Sequence, residues 1–169
     1  MGSIKFDVKI TKENLSGFLL YHNYTHFNGI FGIFISLLAI VYLIYEFEHL
    51  DITKILILSV IAVLFIVVNP LMLRQKAGNQ IKQSEAFKNS ITYELKDEGF
   101  VLSQGDQQSE ILWSDVVKVR DSGKSIIIYI SKIRAFIWPK DQMGSCYLKV
   151  IGALRDKVDA DKIKIKNNG

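Results

Sequence analysis

Apolar positions along the chain follow three rhythms, and each predicts a different kind of element. Near the start, SIKFDVKIT alternates Ile4, Phe6, Val8 and Ile10 with polar neighbours, the period of a half-buried strand. GIFGIFISLLAIVYLIY from Gly29 to Tyr45 and ILILSVIAVLFIVVNPLML from Ile55 to Leu73 are continuous apolar runs without a charge. As helices, each reaches across a hydrocarbon layer about 30 Å thick. The second half of the chain returns to short strand-like stretches, ITYEL, FVLS, EILW, VVKVR, IIIYIS and AFIW, several of them parted by the turn-forming sequences KDEG, QGDQQ and DSGK. Behind Asp141, a candidate N-cap, Met143, Tyr147, Val150, Ile151, Leu154 and Val158 recur at helical spacing.

Backbone groups in lipid must be satisfied within their own segment, so both long runs predict helices, and the short link EFEHLD makes them an antiparallel hairpin. The first strand has no partner near it in sequence and predicts pairing with the later strands. The hairpin is then an insertion after the first strand of a seven-strand barrel capped by a C-terminal helix. The segments are an N-terminal strand over 1–11 and an interfacial helix over 12–27, with Tyr21, Tyr24 and Phe27 at headgroup level. Membrane helices follow over 28–46 and 55–73 around a loop at 47–54, then a basic juxtamembrane linker over 74–89. A cytoplasmic domain over 90–160 and a loosely ordered basic tail over 161–169 complete the chain.

Charge changes this picture by giving it a direction. The formal charge divides as +1 over residues 1–27, −2 over the loop and +5 over residues 74–169. Basic residues favour the cytoplasmic side, which predicts both termini there and the acidic loop outside. The mean hydropathy of +0.20 suits a chain that is part membrane hairpin and part globular domain. A lone Cys146 excludes an intramolecular disulfide and reads as a small buried hydrophobe.

Taken together, the early strand, the hairpin, ITYELKDEGFVLSQGDQQSEILWSDVVKV, SIIIYISKIRAFIWPK and the closing helix resemble the bacterial YcxB-like family. The most specific pieces are the strand and turn ending in Gly99, Trp113 followed by Ser114 and Asp115, and the strand ending in Pro139 and Lys140. The resemblance implies a small two-span protein of the bacterial cytoplasmic membrane with a C-terminal domain of pleckstrin-homology type. It implies no reaction.

Candidate chemistry is sparse. His22 and His26 are four apart and share a helix face, as two metal ligands would, but no carboxylate or cysteine cluster accompanies them. The expectation is therefore no metal and no cofactor, and no nucleophile, phosphate-loop or dinucleotide motif points to an enzyme. Gly29, Gly32 and Ser36 form a small-residue stripe for helix packing, with Ser59 and Ala62 as its receiving surface. Arg74, Lys76 and Lys82 are expected at the anionic lipid surface. Trp113, Trp138 and Lys140 are candidate partner contacts, and Lys124, Lys132, Arg134 and Lys140 a candidate basic patch. Nothing resembles a nucleic-acid interface. The leading expectation is a membrane-tethered cytoplasmic module binding a protein partner or its own copies. The competing one is an immunity protein that meets a membrane-targeting toxin through the hairpin.

Overall fold

A computed structural model describes residues 4–165. The chain divides into a sheet-bearing unit, residues 1–18 and 80–169, and a helical unit, residues 19–79.

In the sheet-bearing unit, β1 (Ile4–Val8) pairs antiparallel with β2 (Ile91–Leu95), Phe6 opposite Tyr93. The first strand thus finds its partner beyond the whole helical insertion. β2 continues through β3 (Gly99–Gln104) to β4 (Gln107–Leu112) as an antiparallel meander. Gly105, at φ +57°, takes the first central position of the two-residue link between β3 and β4, where a side chain would be strained. After a 3-10 turn at Trp113–Asp115 come β5 (Lys118–Asp121), β6 (Ser125–Tyr129) and β7 (Ala135–Pro139), again antiparallel. Every residue of β6 is buried, as expected of a strand covered on both faces.

The two sheets meet over an aromatic core. Trp138 of β7 lies edge-on to Phe6, Tyr93 and Phe100 at centroid distances of 5.2, 5.3 and 5.3 Å. Phe100 also meets Trp113 at 5.5 Å and Phe136 at 5.3 Å. Edge-to-face pairs of this kind add to the area they bury.

Three expectations need correction here. The sheets do not close into a barrel: they are separate four-stranded sheets ordered β1-β2-β3-β4 and β7-β6-β5-β8. The segment read as a loose tail instead carries a strand, Ile163–Lys164 forming β8, parallel to β5 with Val119 opposite Ile163. β5 thus has β6 on one edge and β8 on the other, and Arg120 Nη1 holds β8's approach by donating to the Lys162 carbonyl at 2.8 Å. Residues 166–169 of that tail lie outside the described residues. The closing helix is also interrupted, α5 (Lys140–Met143) being separated from α6 (Tyr147–Lys157) by a 3-10 turn with Gly144 at φ +50°. Asp141 sits inside the first turn of α5 and caps nothing. α6 buries Val150, Ile151, Ala153 and Leu154. Gln142 of α5 clamps the end of β1, accepting from the Lys9 N–H at 2.7 Å and donating to the Lys9 carbonyl at 3.0 Å.

α1 (Lys12–Tyr24) starts with a reciprocal cap: the Thr11 hydroxyl accepts from the Asn14 N–H at 3.2 Å and the Asn14 side chain accepts from the Thr11 N–H at 3.1 Å. It ends short of Phe27, because His26 is extended and begins a new helix. In the helical unit α2 (Phe27–Glu46) leads through a 3-10 turn at Phe47–His49 to α3 (Ile52–Val63), capped by the Asp51 carboxylate on the Lys54 N–H at 3.0 Å. A single π-helical turn, Leu64–Val68, joins α3 to α4 (Asn69–Gln83) without ending the helix.

Candidate functional site

The seam between α2 and α3 is built from small residues. Gly29, Gly32, Ser36 and Ala39 are the buried positions of α2, spaced three or four apart on one face. A Cβ on Gly32 would run into the Phe65 ring, and the Ser36 hydroxyl, fully buried, donates to the Ile61 carbonyl at 2.8 Å. Gly32 and Ser36 therefore do meet the second helix. Gly29 does not; it closes on the Asn23 backbone of α1. Ala62 is buried on α3, while Ser59 lines a shallow hollow near the loop with Leu43 and Ile55.

Asn69 and Pro70 read as a helix disturbance, and the structure shows how it is resolved. In the π turn the Asn69 N–H reaches the Leu64 carbonyl, five residues back. The Phe65 carbonyl would then look to residue 70, and Pro70 has no N–H. The Tyr24 hydroxyl supplies the missing donor at 2.8 Å. Burial of that phenol raises its pKa above the ordinary value. Tyr24→Phe is expected to cost about 1 kcal/mol locally. Hydrogen–deuterium exchange over residues 60–72 of the detergent-solubilised chain should then accelerate about fivefold, the same energy expressed as a ratio.

The rings of His22 and His26 lie tilted to one another, 4.1 Å between centroids with 38° between planes, and His26 Nδ1 bonds the His22 carbonyl at 2.5 Å. Among the described residues no group of three histidine, cysteine or acidic side chains stands together to hold a metal. Arg74, Lys76 and Lys82 all lie exposed on α4, which runs as helix through most of the expected linker.

The three candidate partner contacts belong to the interior. Trp138 is fully buried and Trp113 nearly so, its indole N–H donating to the Lys96 carbonyl at 3.1 Å. Lys140 Nζ sits 2.9 Å from Asp121 Oδ2, with the Asp121 side chain only 1% exposed. The two tryptophans therefore pack in the core, and Lys140, its side chain 18% exposed, is tied up in an ion pair. The basic patch also divides. Pro139 pairs with Ser125, so Lys140 and Lys124 lie at one end of β6, whereas Lys132 and Arg134 lie in the turn at its other end. Lys118 pairs with Tyr129 at that second end, its ammonium 4.4 Å above the Tyr129 ring. Burial first, then Arg120, lower its pKa.

Beside the Arg134 end is a feature no periodicity announced: a cavity of about 300 Å³ lined by Leu15, Phe18, Phe87, Tyr93, Phe136 and Arg134, with six further aliphatic residues. Its walls come from α1, the 3-10 turn Glu85–Phe87, β2, β7 and the turn before β7. Burial keeps the Tyr93 phenol protonated, its pKa raised well above the ordinary value.

These features define the class: an α+β chain in which a pair of apolar helices is inserted between the first two strands of a two-sheet unit. Within the sheet-bearing unit, residues 95–147, from the end of β2 to the start of α6, are similar to the family model described as YcxB-like protein. No curated protein matches the chain. No solved structure matches it either.

Proposed function

We propose that the two apolar helices cross the bacterial cytoplasmic membrane as a hairpin and tether the two-sheet unit at its inner face. There the unit acts as a non-enzymatic binding module of pleckstrin-homology type that engages a protein partner or a second copy. One observation carries the reading. The helical unit turns Phe31, Phe34, Ile44, Tyr45, Leu56 and Val60 outward, each at least half exposed, on helices long enough to span. Such a continuous apolar exterior is what a hydrocarbon solvent accepts and water does not. Two sheets stacked on an aromatic core and followed by an amphipathic helix support the comparison with pleckstrin-homology domains, although the sheets stay open.

The charge asymmetry sets the direction, with both termini cytoplasmic and Glu46, Glu48 and Asp51 outside. Reporter fusions inserted at Glu48 and joined after Gly169 should therefore report opposite sides of the membrane. Both reporting the cytoplasm would end the hairpin reading.

A further inference from the structure

The turn between β6 and β7 combines two features that the fold does not require. The Ser131 hydroxyl accepts from the N–H groups of Ile133 and Arg134 at 3.3 and 3.0 Å, and the Ile130 N–H donates to the Arg134 carbonyl at 3.0 Å. The turn is thus fixed by its own hydrogen bonds. Yet its tip presents Ile133 at 84% exposure, between the exposed cations Lys132 and Arg134. An apolar tip flanked by cations matches the boundary between anionic headgroups and acyl chains.

Behind that tip lies the cavity of about 300 Å³. Arg134 is its one charged lining residue, and Ile133 and Arg134 belong to both tip and cavity. The volume is at the low end for a ligand site, which suits one unbranched chain better than a compact ring system. The walls are aliphatic and aromatic, and Tyr93 is only 2% exposed. The site therefore offers an apolar body and a cationic mouth.

We propose that this cavity takes one acyl chain of an anionic phospholipid, with the headgroup phosphate against Arg134 and Lys132 and Ile133 entering the interface. The inference rests on the membrane reading above and names a ligand for the tethered module. Arg134 makes no ion pair among the described residues, so its charge is open to an anion.

The chain contains two tryptophans, Trp113 and Trp138, both in this unit. Trp138 lies one ring away from the cavity, 5.3 Å from the lining residue Tyr93. The full chain would be reconstituted in mixed phosphatidylcholine and phosphatidylglycerol vesicles, with bromine on the acyl chains of one lipid or the other, and tryptophan quenching measured. Brominated phosphatidylglycerol is expected to quench at a lower mole fraction than brominated phosphatidylcholine. Arg134→Glu should raise its half-quenching mole fraction about fivefold or more, the factor one base at an anionic surface supplies. Ala135→Phe, which adds a ring to the cavity lining, should abolish the excess; Arg134→Glu changes an exposed turn and keeps the test valid if Ala135→Phe does not fold.

Equal quenching by both lipids, unaltered by Arg134→Glu, would mean bulk bilayer proximity and overturn the site. A chain that resists alkaline extraction from the vesicles but shows no quenching would overturn the site while leaving the membrane reading intact. An extractable chain would remove both. Loss of a cross-linked dimer on Ala135→Phe, without lipid quenching, would give the cavity to a second copy and overturn the lipid assignment.

Discussion

Asp121→Ala is expected to destabilise the sheet-bearing unit by roughly 3–5 kcal/mol, the cost of removing one partner from a buried ion pair. The Asp121 side chain is 1% exposed and that of Lys140 18%, and their 2.9 Å contact joins the end of β5 to the start of α5. Both carboxylate oxygens are engaged, because Oδ1 also accepts from the Gly123 N–H at 2.7 Å. That second bond holds a turn in which Gly123 has φ +91°. The Lys140 N–H fastens the same place by donating to the Lys124 carbonyl at 3.0 Å. Removing the carboxylate therefore strands an ammonium and loosens the β5–β6 turn together. Against a typical total of about 5–15 kcal/mol the loss is large. Denaturant unfolding of the full chain in detergent, followed by tryptophan fluorescence, isolates this unit because both tryptophans lie in it. The double variant Asp121→Leu with Lys140→Met should recover most of the loss, since paired apolar replacement is commonly neutral. About 1 kcal/mol should remain for the unpaired Gly123 N–H. A single variant within about 1 kcal/mol of the parent would show that the ion pair is not structural.

The sequence speaks clearly where one local rhythm decides the outcome. Ile4, Phe6 and Val8 alternate because one face of β1 meets the aromatic core, and the charge-free runs stand as the two long apolar helices that their length predicts. Small residues at Gly32 and Ser36 mark the helix seam for the same reason: close approach needs small side chains wherever the partner comes from. Asn69 and Pro70 announce a disturbance, but the donor that repairs it, Tyr24, lies far away in sequence and leaves no mark near them.

Long-range pairings account for the rest. KIKIK does alternate, yet its basic composition makes it look like a solvated tail until β5 offers an edge. With β6 and β8 on its two edges β5 has none left for β4, a pairing that no period in the chain records. In sequence Trp113 and Trp138 favour a core place over a contact site without excluding the second; the ring contacts with Phe6, Tyr93 and Phe100 decide for the core. The cavity draws its walls from separate segments around Leu15, Phe87, Tyr93 and Arg134, so no window of sequence contains it.

Gly99→Ala is the second large effect, expected to cost about 3 kcal/mol, the upper end for forcing an added carbon into a packed site. Gly99 opens β3 opposite Leu112, and a Cβ there would strike the Ile111 carbonyl oxygen. The obstacle is backbone of a paired strand, which cannot rotate aside as a side chain could. Relief requires β3 and β4 to separate at a point fixed from several directions. The Lys96 N–H donates to the Gly99 carbonyl at 2.8 Å, the Trp113 N–H to the Glu98 carbonyl at 2.9 Å, and Trp113 packs on Phe100, the next residue of β3. Any shift therefore passes into the aromatic core. Gly152→Ala is the matching control: it lies exposed on α6 with nothing near its added carbon, so it should stabilise by about 0.5–1 kcal/mol through helix propensity. The same fluorescence-detected unfolding reads both. If the two alanine variants shift the midpoint in the same direction, backbone contact at Gly99 is not what requires glycine there.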